Sequence, residues 1–461
     1  MTMTLVIIGG GPAGYVAAIT AARFDREVVL IDQGLLGGTC LNEGCIPTKA
    51  LLQSADMYEH VKSAGQFGIE LPGKEPVIHW DAVQRRKRSV VKQLTDGVRY
   101  LMNKNKISVL NGKASFLSAH ELLIESEGKS EIIQAKQFII ATGSEPAALP
   151  FAPFDREWII DSKDAMTLPS IPDSLCIIGG GVIGCEFASI FSRMGSKVVM
   201  VEQAAHILPE EDHDTANCLH DQLQKAGVEI LTSAAVKQLD ASSKKVAVEK
   251  VHGERCDIQS DHCLVAIGRK PRLEELNLEQ IGIEFDRNGI CVNEHMQTNL
   301  PHIYACGDVT GGVQLAHAAF HEGTIAASHA SGEDVKVNEH VIPRCIYTSP
   351  EIASVGLNEE NARKQYGEIR IGTFAFSANG KALILNQPAG QVKVIVEPQY
   401  QEILGVSIIG PNATELIGQA AVMMHTELTA DTLEQFIAAH PTLSEAIHEA
   451  LLQTNGRAVH C

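Results

Sequence analysis

The sequence predicts an α/β protein made of two parallel-sheet βαβ units, followed by a C-terminal segment of mixed strands and helices. Three observations carry that expectation. A glycine-rich turn between an apolar strand and a helix occurs at residues 9–14 and again, 170 residues later, at residues 179–184. From about Asn338 the pattern changes, and residues 392–396 and 403–409 read as an antiparallel hairpin. A chain of 461 residues is also too long for one core, so about three domains are expected. With 39 glycines against 5% aromatic residues, tightly turned α/β layers suit the composition better than an aromatic-rich sandwich.

Residues 5–8 form a short apolar run that ends in Gly9-Gly10-Gly11-Pro12-Ala13-Gly14. A helix over about residues 15–24 follows, then a buried strand at residues 28–31, closed by Asp32. In such a fingerprint the glycines permit a tight turn, close approach to a pyrophosphate, and helix–strand packing. Asp32 stands 18 residues after Gly14, where a carboxylate can accept hydrogen bonds from ribose hydroxyls.

The second copy runs from residues 174–178 through Gly179-Gly180-Gly181-Val182-Ile183-Gly184 and a helix to residues 198–201 and Glu202. The copies align without a gap: Gly14, Arg23 and Asp32 parallel Gly184, Arg193 and Glu202. Two complete, collinear fingerprints predict two Rossmann-like domains for two different dinucleotides. Glu202 would repel a ribose 2′-phosphate, and no Lys or Arg occurs from residue 203 to 224. NAD is therefore expected over NADP.

Residues 137–144 read as a strand entering a turn of small residues, Ala141, Thr142 and Gly143. A related strand and turn at residues 263–268 contains Ala266 and Gly268. Residues 115–136 and 236–256 suggest β-meanders closing the two nucleotide domains. Residues 301–308 form another apolar strand, ending at Gly307 and Asp308, a carboxylate that could bind a flavin's ribityl chain. A helix begins within residues 315–320, and later helices are expected near residues 414–425 and 433–438.

The stretch around which these elements are organised is Gly37-Gly38-Thr39-Cys40-Leu41-Asn42-Glu43-Gly44-Cys45-Ile46-Pro47-Thr48-Lys49. Five helical residues rise about 7.5 Å, whereas bridged Cα atoms lie roughly 4.4–6.8 Å apart. A Cys40–Cys45 bridge therefore requires the backbone to bend between them, and Gly44 permits that bend. Pro47 suits the first turn of a helix carrying Lys49, and Cys45 beside its N-terminus would be favoured as thiolate. Lys49 follows Cys45 by four residues and shares its helix face. Glu186, among Phe187, Ala188, Ile190 and Phe191, calls for a buried partner. Near the end, Pro441 places His440 on a turn, and Thr442 with Glu445 matches a capping box.

The formal charge of −18 argues against nucleic acid or acidic membrane surfaces as partners. Eleven scattered cysteines, without metal-type CxxC pairs, resemble neither a secreted disulfide framework nor a metal site, and no metal is expected. Residues 1–22 are uncharged and mostly apolar, but glycines interrupt them and no basic residue precedes them. A cytoplasmic enzyme or binding protein is expected.

The chain resembles the pyridine-nucleotide disulfide oxidoreductases over nearly its whole length. The resemblance is carried by GGTCLNEGCIPTK at residues 37–49, TNLPHIYACGD at 298–308 and LAH at 315–317. It continues in YTSPEIASVG at 347–356, ILGVSIIGPNATELI at 403–417 and HPTLSE at 440–445. The LAH and PNATELI segments and the NAD-type Glu202 favour the branch that oxidises dihydrolipoyl groups.

The resemblance implies an FAD-binding domain over residues 1–145 and an NAD-binding domain over 146–270. A central domain over 271–337 would complete the FAD site, and residues 338–461 would form the interface of a homodimer. Cys40 would be the interchange thiol facing substrate and Cys45 the flavin-side thiol. Lys49 would lie near the isoalloxazine and pair with Glu186. His440, oriented by Glu445, would be the acid/base acting on the other subunit's disulfide. FAD would be held at Gly9, Gly11, Pro12, Ala13, Gly14, Asp32, Gly38, Thr39, Lys49, Ala114, Ala141, Thr142, Gly143, Asp308 and Ala316. NAD would be held at Gly179, Gly181, Val182, Ile183, Gly184, Glu202, Val236, Ala266 and Gly268.

The implied substrate is a lipoyl group on the E2 acyltransferase of a 2-oxoacid or acetoin dehydrogenase complex, or on a lipoyl carrier protein. No lipoyl domain is expected ahead of the flavin fold. The tail from Arg457 lacks the paired cysteines of some relatives, so Cys461 reads as a lone tail thiol. Two alternatives stand beside this reading. A reductase of another disulfide, such as glutathione, is disfavoured by Glu202. A non-catalytic FAD-holding assembly subunit would need none of Cys40, Cys45 and His440.

Overall fold

The computed structural model describes residues 4–71, 73, 76–126, 128–338 and 340–460, so Cys461 lies outside the described residues. The chain divides into two compact units. The first comprises residues 1–51, 79–147 and 268–339; the second comprises residues 52–78, 148–267 and 340–461.

The first unit is built on a five-stranded sheet, in the order Ile303–Ala305, Gln137–Ile140, Thr4–Ile8, Glu27–Asp32, Ser108–Asn111. Every pairing in it is parallel. A parallel sheet is covered on both faces, which is why its strands read as continuous apolar runs. Leu5, Ile7, Leu30 and Ile139 join the core on one face, while Val6, Ile8, Ile31 and Ile140 join the core on the other. Each such buried side chain contributes about 1.5–3 kcal/mol. Helices Pro12–Arg23 and Ala316–Ala330 meet through small residues: a Cβ at Gly323 would lie 2.3 Å from the Ala13 carbonyl oxygen. The expected meander is present as Lys113–Ser118, Glu121–Ser126 and Lys129–Gln134, all antiparallel.

The second unit contains another parallel sheet, in the order Glu229–Leu231, Lys197–Val201, Ser174–Ile178, His262–Val265, Ile159–Ile160. Its meander is Ala235–Asp240, Lys245–Glu249, Arg255–Gln259. The C-terminal part adds a five-stranded antiparallel sheet, in which Gln391–Val396 and Ile403–Gly410 form the expected hairpin. Helices Ala413–His425 and Glu445–Thr454 accompany that sheet, with Ile417, Ala420, Ile447 and Leu451 in its core.

Three details depart from the sequence reading. The first glycine helix starts at Pro12 rather than near residue 15, because Gly11 is the N-cap and proline suits the first turn. The bend between Cys40 and Cys45 falls at Gly44 as expected, but it separates two helices, Gly38–Glu43 and Cys45–Lys62, the first of which the sequence reading did not anticipate. Residues 433–438 do not form a helix. The helix there is Ala430–Leu433, started by a Thr429 capping box, and Phe436 and Ile437 beyond it are 46% and 89% exposed, with no face to bury.

Candidate functional site

The two glycine turns are one backbone design used twice. Gly9 and Gly179 have φ of +106° and +107°, a region that excludes most side chains. The helix N-caps, Gly11 and Gly181, have φ/ψ of −73°/−172° and −74°/−172°. A Cβ on Gly14 would lie 1.8 Å from Gly9 O, and one on Gly184 would lie 1.9 Å from Gly179 O. The neighbouring strand closes in as well, at Ala141 O for Gly9 and at Ala266 O for Gly179, 2.2 and 2.4 Å from such a Cβ.

The acids repeat too. Asp32 accepts the Gly10 N–H and, at 2.6 Å, that of Gly34, while Glu202 accepts the Gly180 N–H and, at 2.6 Å, that of Ala204. Each carboxylate is thus held at its strand end beside the turn.

In the first unit the redox stretch is joined to the first turn. Gly37 N–H donates to Gly10 O at 2.8 Å, and a Cβ on Gly38 would lie 2.6 Å from Gly11 Cα. Helix Gly38–Glu43 carries Thr39 and Cys40, and Cys45 opens the next helix, which carries Lys49. The break at Gly44 has φ −147° and ψ −113°. Cys40 and Cys45 are both partly buried. The Cys40 thiol is pushed well above the ordinary range, first by the hydrogen bond it shares with Cys45, then by burial. The Lys49 charge opposes that shift, and the Asp308 carboxylate adds to it. The structure therefore brings Cys45, Lys49 and Asp308 within electrostatic reach of Cys40.

Sequence reasoning missed what holds Asp308. Ser144 Oγ donates to its carboxylate, and Arg269 donates to Ser144 Oγ and Ser144 O, both at 2.8 Å. Buried Glu322 accepts the Gly307 N–H at 2.6 Å, fixing the same turn from helix Ala316–Ala330. Thr142 Oγ1 donates to Arg272 O at 3.0 Å beside Gly143. Ala114 is buried on strand Lys113–Ser118, and Ala316 is the first residue of its helix. Only the polar character of Glu322 within an alanine-rich helix could have signalled its role.

In the second unit, Val182 is 43% exposed at the start of helix Val182–Arg193, with Ile183 beside it, and Val236 lies on strand Ala235–Asp240. Gly268 falls instead at the start of the last segment of the first unit. Glu186 is 3% exposed and accepts the Tyr347 N–H at 3.0 Å. His440 Nδ1 lies 2.8 Å from Glu445 Oε1, and Glu445 Oε2 accepts the Thr442 N–H at 2.7 Å.

Only half of the expected capping box forms. The helix starts at Glu445 with Ser444 as N-cap, and Thr442 Oγ1 turns to Ala439 O, so the Thr442 side chain caps nothing. Burial alone would raise the Glu445 carboxyl. The Thr442 N–H and His440 outweigh it and hold the group below the ordinary carboxylate range.

Residues 3–323 match the family model described as pyridine nucleotide-disulphide oxidoreductase, and residues 342–451 match that family's dimerisation domain. The chain belongs to the pyridine nucleotide-disulphide oxidoreductases. A dihydrolipoyl dehydrogenase of Bacillus subtilis is 60% identical over 99% of this chain and all of its own length. The mitochondrial dihydrolipoyl dehydrogenase of Pisum sativum is 40% identical over 99% of this chain and 92% of its own. Among solved structures, LpdA of Mycobacterium tuberculosis superposes with a TM-score of 0.90 at 28% identity, covering 98% of this chain and 99% of that one. The HOCl-induced flavoprotein disulfide reductase RclA of Escherichia coli, in its Cu(II) complex, gives 0.87 at 30% identity, with 98% and 99% covered.

Membership makes the protein an oxidoreductase that uses FAD and NAD, and its dimerisation domain supports a homodimer. The residues fit both cofactors. Neither Gly11 nor Gly181 has a capping side chain, so the first N–H groups of both helices are left for a pyrophosphate. No described atom lies within 4 Å of where a Cβ would stand on Gly143 or Gly181, which leaves room beside those turns. Among the described residues, no group of three or more His, Cys, Asp or Glu could hold a metal ion, and no helix is long and apolar enough to cross a membrane.

Proposed function

We propose that this protein oxidises protein-bound dihydrolipoyl groups to the cyclic disulfide, reducing NAD. The observation that carries the reading is the Cys40–Cys45 thiol pair, straddling the Gly44 break and joined through Gly37 and Gly38 to the first glycine turn.

In the oxidised enzyme the two cysteines form a disulfide. The partner subunit's His440 takes the proton of one substrate thiol, and Glu445 keeps the ring in the tautomer that can accept it. The resulting thiolate attacks Cys40, giving a mixed disulfide and releasing Cys45 as thiolate. Cys45 opens the helix Cys45–Lys62, whose N-terminal dipole favours that negative charge. The second substrate thiol gives its proton to Cys40 as it attacks the substrate sulfur of the mixed disulfide, closing the lipoyl ring and freeing Cys40 as a thiol. The enzyme dithiol now holds two electrons. FAD, when bound, would supply the redox chemistry that carries that pair on to NAD.

Asp32 and Asp308 hold the hydroxyls of FAD, and Glu202 those of the NAD ribose. Lys49 tunes the flavin side of the site. Residues 1–145 and 271–337 serve FAD, residues 146–270 serve NAD, and residues 338–461 pair the subunits. The lipoyl group arrives on an E2 acyltransferase or a lipoyl carrier protein, in the cytoplasm.

The test is NADH formation from dihydrolipoamide by purified, flavin-loaded protein, with NADP and glutathione disulfide as controls. Activity with NAD that disappears in Cys45→Ser is expected. Absence of NADH from the wild type, or turnover retained in Cys45→Ser, would overturn the reading.

A further inference from the structure

The C-terminal helix Glu445–Thr454 carries a second carboxylate–imidazole pair. Glu449 follows Glu445 by four residues, one turn along the same face. Its carboxylate, 12% exposed, accepts the N–H groups of Val459 and His460 at 3.2 and 3.3 Å. Its Oε1 lies 2.7 Å from His460 Nδ1.

The design repeats that of the first pair, where one carboxylate holds His440 Nδ1 and the Thr442 N–H. In both, the ring projects outward, with His440 and His460 side chains 77% and 71% exposed. The tail is tied down along its length. The Arg457 N–H donates to Leu452 O at 2.9 Å, its guanidinium pairs with Glu434, and Asn455 donates to Gln401 and Glu434.

The second pair also reaches the first. Among the groups that outweigh burial at Glu445 is the His460 charge, after the Thr442 N–H and His440.

We infer that Glu449 and His460 are positioning residues for the reaction: the tail imidazole, gripped by Glu449, steadies the turn bearing Glu445 and so the orientation of His440. The inference rests on His440 being the acid/base of the proposed function.

The experiment uses the FAD-loaded dimer carrying His460→Ala, His460→Asn, Glu449→Gln or His440→Gln. Turnover with dihydrolipoamide and NAD is compared with rapid-mixing reduction of the flavin by NADH, a step that does not call on His440. His460→Ala and Glu449→Gln are expected to lower kcat about tenfold, with KM for dihydrolipoamide and the NADH-driven rate unchanged. His460→Asn, whose amide can still donate to Glu449, is expected to recover most of the loss.

Wild-type kcat in His460→Ala, or an NADH-driven rate that falls in step with kcat, would overturn the inference while leaving the functional reading intact. Undiminished turnover in His440→Gln would overturn both.

Discussion

At the scale of single residues, the glycines of the two turns divide into those the fold needs and those a ligand needs. A methyl on Gly184 would meet Gly179 O at 1.9 Å, whereas nothing described lies within 4 Å of one on Gly181. Gly184→Ala is therefore expected to cost ~3 kcal/mol or more in urea unfolding. Gly181→Ala should stay within ~0.5 kcal/mol of wild type while raising KM for NAD about tenfold. Equal destabilisation by both would refute the division.

Glu445 makes a pH-dependent contribution. Its folded-state carboxyl is depressed, so its stabilisation is complete above the ordinary carboxylate range and is lost as pH falls through the folded value. Glu445→Gln should cost about 1 kcal/mol at pH 7, with the difference in Tm shrinking toward pH 3. A gap that stays constant with pH would contradict this.

Among the elements, helix Trp80–Lys104 shows a local conflict. Its inner stripe of Trp80, Thr95, Val98 and Met102 also contains Gln84 and Lys87. Lys87 is 5% exposed, and burial, with the Arg88 charge second, pushes its ammonium down to about 8. Between that value and 10.5 the unfolded chain holds a proton that the folded chain does not, so stability rises with pH through this window. Lys87→Met should accordingly be more stable than wild type at pH 7, an advantage that fades between pH 8 and 10.5 in denaturant titrations. No gain at pH 7 would show that the ammonium is well accommodated.

Elements were legible where one period and one stop signal acted within about 30 residues. The strand–turn–helix copies, both meanders and the hairpin of residues 391–410 fall in that class. The helix expected at residues 433–438 failed because apolar residues alone do not make a buried face, and Ile437 is 89% exposed.

For the whole molecule, the decisive expectation is that a site uses one subunit's disulfide and the other's histidine. His440 is 77% exposed although its carboxylate partner is largely buried. Mixing Cys45→Ser with His440→Gln, each inactive alone, should produce hybrid dimers with one intact site. Random reassortment gives half hybrids, hence about a quarter of wild-type activity. No recovery after exchange would place both groups of a site in one chain.

The sequence by itself determined the duplicated turns, their terminal acids and the redox stretch. In each, sterics, φ preference or helix geometry acts on neighbours along the chain. Only the tertiary structure decided what holds those groups in place. Ser144 reaches Asp308 across 164 residues and Arg269 reaches Ser144 across 125. The first contact follows from the strand order that sets Ile303–Ala305 beside Gln137–Ile140, the second from the antiparallel pairing of Arg269–Pro271 with Ser144–Pro146. Glu449 meets the tail because residues 455–460 fold back along their own helix. Such contacts depend on which strands pair and where a tail docks. A local pattern of residues does not encode that choice.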